Sequence, residues 1–250
     1  MSGGRLEGKV AVVTGATSGF GEAIARLFAA EGAPLILSGR RSDVGEAIAA
    51  ELDGHFVAGD VGDEETADAI VDAAHEHGRI DVLVLNAGIG YPGTGPFWDV
   101  DPADFDLVFR TNVRGVFLCA RAAVPLMPRN ASIVVMASMS SYIVFPGESV
   151  YSASKGAVLQ LARGMAGDLA GRGIRVNAVC PGICDTPMTR YFIDTSPDPA
   201  ATEVEFAGAA PVGRMGTADE IARAALFLAS DDASYCTGAS LAADGGFMIR

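Results

Sequence analysis

The stretch VYSASKGAVLQLARGM, residues 150–165, carries a tyrosine four residues ahead of a lysine in an otherwise apolar run with helical spacing. Tyr151 and Lys155 would therefore lie one helical turn apart on the same face. A phenol, with an ordinary pKa of about 10, is a poor base at neutral pH, but a neighbouring ammonium would favour the phenolate and lower that pKa. Ser138 ends a β-branched run earlier in the chain, and its hydroxyl could hold the same oxygen atom. The three side chains predict an acid–base group that passes a proton to or from a carbonyl oxygen.

Taken alone, the tyrosine–lysine spacing also fits a lysine whose stem packs beside a half-buried tyrosine. The spacing alone does not decide between the two interpretations. Short β-branched runs, alternating with helical patterns, lie at 10–15, 35–39, 55–61, 81–88, 132–138, 174–182 and 240–246. Apolar strands separated by helices are typical of a parallel sheet that is buried on both faces, and right-handed crossovers make such a sheet doubly wound. We expect an α/β fold: a doubly wound parallel sheet of about seven strands with helices on both faces, the Rossmann fold.

We expect residues 1–250 to form a single domain, because α/β folds of this length often do. The segment 183–217 lacks clear periodicity and contains several prolines. We interpret it as a loop excursion within that domain, which would act as a substrate loop or lid.

The composition excludes several classes of partner. The chain carries 31 acidic and 18 basic residues, a net charge of -13, which argues against nucleic acid or an anionic membrane as a partner. No apolar run is long enough to span a bilayer, and residues 1–9 lack the apolar core of a signal peptide. The four cysteines show no CxxC spacing, which is typical of a reduced protein, so we expect a cytoplasmic location.

The stretch TGATSGFG, residues 14–21, follows the first strand and opens the first helix. Gly15, Gly19 and Gly21 allow a tight turn and a close approach of the backbone, and a helix N-terminus offers free N–H groups to a pyrophosphate. The position between strand and helix favours a dinucleotide-binding turn over an ordinary glycine-rich turn.

The second strand ends in SGRRS, residues 38–42. Dinucleotide-binding folds that select NAD often place an acid there, whereas an arginine suits a 2′-phosphate. Gly39 stands where the acid would lie, and Arg40 and Arg41 follow it. Because a guanidinium pairs bidentately with phosphate, we expect NADP(H) to be preferred, with NAD(H) as the alternative if both arginines are merely solvated.

The chain resembles the short-chain dehydrogenase/reductase family over essentially its whole length. The matching motifs, in order, are TGATSGFG (14–21), GDV (59–61), NAG (86–88), TNVRG (111–115), Ser138, YSASK (151–155), RVNAVCPG (175–182) and DGG (244–246). The resemblance implies that Tyr151 is the proton donor or acceptor and that Ser138 is the partner of the substrate oxygen. It implies that Lys155 lowers the pKa of the phenol and holds the nicotinamide ribose, and that Asn112 anchors a chain of water molecules that relays protons.

The resemblance also implies the cofactor contacts. Asp60 and Val61 would flank the adenine, residues 86–88 would contact the middle of the cofactor, and the turn at 181–186 would contact the nicotinamide amide. The expected cofactor-binding set is Gly15, Thr17, Ser18, Gly19, Phe20, Gly21, Arg40, Arg41, Asp60, Val61, Asn86, Ala87, Gly88, Tyr151, Lys155, Pro181, Gly182, Ile183 and Thr186. Ser18 departs from members that prefer NADP(H), which often have a basic residue there. The family further implies a homotetramer, or else a homodimer, with the Tyr151 helix and the carboxyl-terminal segment in the interfaces.

We therefore expect an oxidoreductase that transfers a hydride between a nicotinamide cofactor and a small-molecule secondary alcohol or ketone. One alternative is a dehydrogenase or reductase of a hydroxy acid or a 3-oxoacyl thioester, whose negative charge Arg190 could bind and Glu148 would oppose. Another is a nucleotide-sensing regulator without catalysis, against which the intact Asn–Ser–Tyr–Lys set argues. No metal is expected, because His75 and His77 lack a third ligand nearby in the sequence. Aromatic residues that could line a substrate pocket are Tyr91, Phe97, Trp98, Tyr142, Phe145, Tyr191 and Phe192.

Overall fold

The computed structural model describes residues 3–90 and 95–249. Within them, seven strands form one parallel sheet in the order β3-β2-β1-β4-β5-β6-β9, and two short strands, β7 and β8, form a second sheet. The strands are β1 (Ala11–Thr14), β2 (Leu35–Gly39), β3 (His55–Ala58), β4 (Val82–Leu85), β5 (Ser132–Met136), β6 (Arg175–Pro181), β7 (Cys184–Asp185), β8 (Gly216–Thr217) and β9 (Ser240–Ala243). The seven β-branched runs of the sequence all form strands of the larger sheet, so the expected fold class is confirmed.

Helices cover both faces of this sheet, as expected. They are α1 (Gly19–Ala30), α2 (Ser42–Glu51), α3 (Glu64–Ala74), α4 (Pro102–Phe109), α5 (Gly115–Ala123), α6 (Ser149–Ala170), α7 (Pro187–Asp194), α8 (Pro199–Ala209) and α9 (Ala218–Ala229). One apolar cluster contains residues of α3, α5 and α6, and the other contains residues of α1, α2 and α9. Because successive side chains of a strand point to opposite faces, Val12 packs in the first cluster, whereas Ala11 and Val13 pack in the second.

The order of the strands reverses at β1, which pairs with β2 on one side and β4 on the other. Val12 is the partner of Ile36 in the first ladder and of Leu83 in the second. In open α/β sheets, ligands bind in the crevice at the carboxyl ends of the strands where the order reverses. The fold therefore places the glycine-rich turn after β1, the arginines after β2 and Ser138 after β5 at one edge of the sheet.

The segment 183–217 is more regular than its sequence indicates, because it contains β7, α7, α8 and β8. Pro187 and Pro199 begin the two helices, where a missing N–H costs nothing, and Thr186 and Asp198 cap them. Helix α8 has no buried residue, so its sequence carries no apolar period that could have shown it. The expectation of an irregular excursion is therefore wrong in its secondary structure.

Two searches bear on the classes of function. Within residues 3–90 and 95–249, no helix combines the length and the apolar character that a membrane crossing requires. In the same residues, no three histidine, cysteine or acidic side chains are grouped as a metal ion would need.

Candidate active site

Helix α6 positions Tyr151 and Lys155 in its first two turns, at the carboxyl edge of the sheet. The Lys155 side chain is 6% exposed, and its Nζ donates a hydrogen bond of 2.8 Å to the carbonyl oxygen of Met136, the last residue of β5. The same Nζ lies 5.8 Å from the centre of the Tyr151 ring. Burial lowers the pKa of Lys155 to about 8, because a desolvated ammonium is costly. Lys155 is therefore buried beside Tyr151, which is itself half-buried.

The acidity of Tyr151 differs from the expectation based on the sequence. Burial raises the pKa of its phenol to about 12, the Ser138 hydroxyl acts in the opposite direction, and the Glu148 carboxylate raises the pKa further. The expected lowering of this pKa is wrong as a net direction, because desolvation of the phenolate is the largest effect and the Ser138 hydrogen bond, which opposes it, is smaller. The phenol is therefore protonated at neutral pH, which is the form that can donate a proton.

Ser138 follows β5 and caps a short turn at Met139–Ser141. Its Oγ accepts a hydrogen bond of 3.0 Å from the Ser140 N–H, which fixes the side chain on the same side as the Tyr151 phenol, with which it interacts. The Ser138 and Tyr151 hydroxyl groups can thus both hydrogen-bond to one substrate oxygen atom, as the sequence predicts.

Asn112 lies in a π-helical turn, Arg110–Arg114, that joins α4 to α5. Its Oδ1 accepts from the Ile89 N–H at 2.8 Å, and its Nδ2 donates to the Ile89 carbonyl at 2.9 Å and to Ser154 Oγ at 3.0 Å. Ser154 Oγ in turn donates to the Tyr151 carbonyl at 2.7 Å. Short π-helical turns inside or between α-helices are frequent at functional sites. The Asn112 side chain thus braces the first turn of α6 rather than projecting into solvent.

The glycine-rich turn is shaped by close packing. Gly15 has a φ of +66°, and a Cβ there would lie 2.8 Å from the Ala87 Cα. A Cβ on Gly21 would lie 2.1 Å from the Gly15 carbonyl oxygen, so Gly21 packs beneath the turn. The Asn86 Nδ2 donates to the carbonyl oxygens of Thr14 and Gly15 at 3.0 and 3.1 Å. Asn86 therefore holds the turn in place from the neighbouring strand.

A cleft of about 330 Å³ runs from this turn to Tyr151 and Lys155. Most of the expected cofactor residues line it: Gly15, Thr17, Ser18, Gly19, Phe20, Arg40, Arg41, Asp60, Val61, Asn86, Ala87, Gly88, Tyr151, Lys155 and Thr186. Lining residues that sequence reasoning missed are Gly39, Gly59, Ile89, Thr111, Met136, Ala137, Pro187 and Met188. Six of these eight residues directly precede or follow an expected residue, so adjacency in the sequence was the available signal.

Four expected cofactor residues and two expected catalytic residues do not line this cleft. The cofactor residues are Gly21, Pro181, Gly182 and Ile183, and the catalytic ones are Asn112 and Ser138. Pro181 belongs to buried strand β6, which pairs with β9, and a Cβ on Gly182 would lie 2.7 Å from the Asp244 Cα. Ile183 lines a second cavity of about 340 Å³ with Arg214 and Glu220. Because residues 181–183 pack against β9 or line the second cavity, they do not line the cleft. Thr186 is the residue of the 181–186 turn that does.

The two arginines after β2 have different surroundings. The Arg41 Nη2 donates to the Thr17 carbonyl at 2.7 Å and to Thr17 Oγ1 at 3.2 Å, so Arg41 braces the glycine-rich turn. No hydrogen bond or ion pair joins Arg40 to the described residues, and its charge acts through space on Asp60. Arg40 is thus the guanidinium that remains available to an anion in the cleft.

The outer end of the cleft, at Thr186, Pro187 and Met188, continues into α7, which carries apolar side chains and Arg190. A Cβ on Gly90 would lie 3.4 Å from Phe192 Cζ and 3.5 Å from Met188 Sδ, so α7 covers the loop after β4. Arg190 donates to both Asp185 oxygens, at 2.6 and 2.8 Å, and to Glu203 at 2.5 Å, so three of its five N–H donors and its charge are already engaged by carboxylates of the chain.

The other expected aromatic residues divide between packing and exposure. Phe145 packs edge-on against Phe247, whereas Phe97 and Trp98 pack against each other and are mostly exposed. Tyr142 hydrogen-bonds Ser240 through its hydroxyl, and Tyr191 packs edge-on against Phe192. Tyr91 lies outside the described residues.

Comparison with known proteins identifies the family. A family model described as enoyl-(acyl carrier protein) reductase matches residues 15–248. The 3-oxoacyl-[acyl-carrier-protein] reductase FabG of Thermotoga maritima is 38% identical over 253 residues, covering 98% of this chain and 100% of its own. The chain belongs to the short-chain dehydrogenase/reductase family.

Two further members of the family are similar along their whole length. The 2-(R)-hydroxypropyl-CoM dehydrogenase of Xanthobacter autotrophicus is 43% identical, covering 96% of this chain and 98% of its own. The ligand-free structure of Thermoplasma acidophilum aldohexose dehydrogenase superposes with a TM-score of 0.91 at 34% identity, covering 100% of this chain and 97% of that one. This short-chain dehydrogenase/reductase is therefore an oxidoreductase that acts by hydride transfer on an alcohol or ketone.

The nicotinamide cofactor of short-chain dehydrogenases/reductases fits the cleft. Among the residues that the structure describes, Ser18 precedes α1 without a capping hydrogen bond, so the first N–H groups of α1 have no side-chain partner there. The cradle at Gly15 would be filled by a Cβ. Free N–H groups at a helix N-terminus beside glycine suit a pyrophosphate.

Proposed function

We propose that this chain is an NADP(H)-dependent dehydrogenase/reductase of uncharged secondary alcohols and ketones, with Asn112, Ser138, Tyr151 and Lys155 as its catalytic set. The observation that carries the proposal is the cleft, which has the half-buried Tyr151 and the buried Lys155 at one end and Arg40, unpaired among the described residues, at the other. The residues at its two ends suit a dinucleotide whose reacting ring would lie beside Tyr151 and whose phosphorylated adenosine would lie beside Arg40.

Each residue would act at a stated atom. The nicotinamide ring, when bound, supplies or accepts the hydride. The Tyr151 phenol donates its proton to the carbonyl oxygen in reduction, and the Tyr151 phenolate accepts the proton of the substrate hydroxyl in oxidation, while the Ser138 hydroxyl holds that oxygen. The Lys155 ammonium, 3.4 Å from where a Cβ on Gly88 would lie, binds the ribose hydroxyls and stabilises the phenolate while it carries its charge.

Asn112 holds α6 and the loop after β4 together through Ser154 and Ile89. Because both ends of its amide are occupied, a water chain at this residue would bind the main chain of the π-helical turn. We therefore propose that the main chain of Asn112 anchors the water chain that relays protons.

The charges at the outer end of the cleft favour an uncharged substrate. Arg190 is held by Asp185 and Glu203, and Glu148 lies half-buried within electrostatic range of Tyr151. The relatives are named an acyl-carrier-protein reductase, a hydroxypropyl-CoM dehydrogenase and an aldohexose dehydrogenase. Because these substrates differ, we infer the substrate class from the residues of the site.

A paired substrate panel tests the proposal. Ketones and secondary alcohols that differ only in a carboxylate would be assayed with NADP(H) and NAD(H) in parallel, with turnover followed by the nicotinamide absorbance. We expect turnover with the uncharged members and NADP(H). A preference for the carboxylates would support the charged-substrate alternative, and binding of cofactor without turnover of any member would support the nucleotide-sensing alternative.

We further propose a homotetramer in the cytoplasm. Phe105, Leu107 and Phe117, on α4 and α5, expose 41–49% of their surface and offer apolar area for contact with another copy. The four free cysteines suit a reducing compartment. Sedimentation equilibrium should give a mass of four chains, and a monomer would contradict the assembly.

Replacing Arg40 and Arg41 separately should distinguish a role in binding the 2′-phosphate from a role in bracing the glycine-rich turn. Arg40→Ala should weaken NADPH about ten- to a hundredfold and leave NADH nearly unchanged, because a charge-assisted bond to the 2′-phosphate is lost. Arg41→Ala should weaken both cofactors, because Arg41 braces Thr17 and the turn. Fluorescence titration gives all the dissociation constants. Equal weakening of both cofactors by Arg40→Ala, or a wild type that prefers NADH, would contradict the NADP(H) assignment.

The two directions of reaction should respond differently to pH. The pKa of Tyr151 is raised to about 12, so below pH 12 the phenolate is the minor form. The fraction of Tyr151 present as phenolate then increases about tenfold for each unit of pH. Alcohol oxidation needs the phenolate, and its kcat/KM should rise between about pH 6 and 8, then less steeply as Lys155 loses its charge near 8. Ketone reduction uses the protonated phenol and should show no such rise. Profiles of kcat/KM in both directions check this, and a flat oxidation profile below pH 8 would contradict it.

A further inference from the structure

Arg110 links two regions of the cleft that are distant in sequence. It is the first residue of the π-helical turn that carries Asn112, and its guanidinium reaches the loop between β3 and α3. Its Nη1 donates to Asp60 Oδ2 at 2.9 Å, and its Nη2 donates to Asp63 Oδ1 at 2.5 Å. The side chain lies against Gly62, where a Cβ would come within 2.8 Å of Arg110 Cγ. A single side chain from the π-helical turn thus clamps this loop at Asp60, Gly62 and Asp63.

The Asp60 carboxylate is fixed from two directions. Oδ1 accepts from the Gly62 N–H at 2.8 Å, and Oδ2 accepts from Arg110. Burial raises the pKa of Asp60, but the hydrogen bonds from Gly62 and Arg110 outweigh it, so the pKa lies below its ordinary value. Asp60 is therefore an oriented anion with lone pairs still free, because a carboxylate offers about four acceptor sites.

Asp60 lines the end of the cleft that lies away from Tyr151, together with Val61 and Arg40. Under the proposed function, on which this inference rests, that end receives the adenosine half of the cofactor. Adenine presents an amino group that donates hydrogen bonds, whereas hypoxanthine presents a carbonyl oxygen in its place. A carboxylate held in one orientation can distinguish the two bases.

We propose that Arg110 is a positioning residue for base recognition, which holds the Asp60 carboxylate where it accepts a hydrogen bond from the adenine amino group. Arg110 itself touches neither the base nor the reacting atoms. Without it, Asp60 keeps only the Gly62 contact and can rotate toward solvent, and selectivity for adenine is lost.

Competition binding of AMP and IMP against fluorescent bound NADPH tests the proposal without any turnover. AMP should bind wild type about tenfold more tightly than IMP, and in Arg110→Gln the ratio should fall to near one. Arg114→Gln is the matched control, because Arg114 belongs to the same turn and pairs with Glu64 of α3 at 3.7 Å without contacting Asp60. It should keep the wild-type ratio.

The outcomes separate this inference from the proposed function. If wild type binds NADPH but does not distinguish AMP from IMP, or if Arg110→Gln keeps the wild-type ratio, the role of Arg110 is overturned and the proposed function stands. If wild type binds no NADPH, the proposed function itself fails. Should Arg110→Gln lose its cooperative thermal transition, Arg110→Met decides instead, because methionine keeps an apolar stem against Gly62 but offers Asp60 no hydrogen-bond donor: a reduced ratio supports the role, and a wild-type ratio overturns it.

Discussion

Replacing Tyr151 with phenylalanine should lower kcat by about two to four orders of magnitude while leaving the dissociation constant of the cofactor nearly unchanged. The substitution removes the one hydroxyl that can exchange a proton with the substrate oxygen from this position, and it keeps the ring. The contacts that fix α6 here are made by the Tyr151 carbonyl and by Lys155, not by the phenol. Steady-state rates and a fluorescence titration of cofactor on the same samples separate the two quantities.

Tyr142→Phe is the matched control for this experiment. The Tyr142 hydroxyl hydrogen-bonds Ser240 and accepts from Arg163, away from the cleft lining. We expect this variant to keep wild-type turnover. Near wild-type turnover of Tyr151→Phe would refute the assignment of Tyr151 as the proton donor.

Lys155→Ala should impair both steps, lowering kcat about a hundredfold and weakening the cofactor about tenfold. The buried ammonium is held at the Met136 carbonyl beside Gly88, where it can reach ribose hydroxyls, and it is close enough to Tyr151 to stabilise a phenolate. Its loss should therefore also displace the oxidation pH profile toward alkaline pH, because the phenolate forms less readily. Cofactor titrations and kcat profiles across pH measure the two effects.

Lys9 is the other lysine of the chain and supplies the control. It pairs with Asp231 at 2.6 Å and has no part in the cleft lining, so Lys9→Ala should change neither quantity. If Lys155→Ala weakens the cofactor but leaves kcat and the pH profile in place, Lys155 only binds ribose and does not stabilise the phenolate.

The strands and the glycine-rich turn could be predicted because short-range physics determines them. Runs such as residues 10–15 and 132–138 are apolar and β-branched and form strands of the sheet, and a glycine at position 15 is required by its backbone conformation. Tyr151 and Lys155 could be paired because one helix carries both, so their spacing alone fixes their relative position.

Features that depend on three-dimensional packing were not accessible in the same way. Burial of Tyr151 depends on the whole site, and it raises a pKa that the neighbouring lysine alone would lower. The turn at 181–186 has the expected sequence, but contact with Asp244 draws Gly182 away from the cleft. Arg40 and Arg41 are adjacent and chemically identical. Only the fold shows that Arg41 donates a hydrogen bond to Thr17.

The central claim is that Tyr151 supplies the proton while a hydride passes from a cofactor held in the cleft. The most direct measurement uses NADPH deuterated at the transferred position, a ketone from the panel that wild type reduces, and mass analysis of the product alcohol. We predict one deuterium on the carbinol carbon with wild type, and no more than about a hundredth of that product in the same time from Tyr151→Phe carrying equal bound cofactor. An alcohol without deuterium, or equal amounts of deuterated alcohol from the two proteins, would contradict the account.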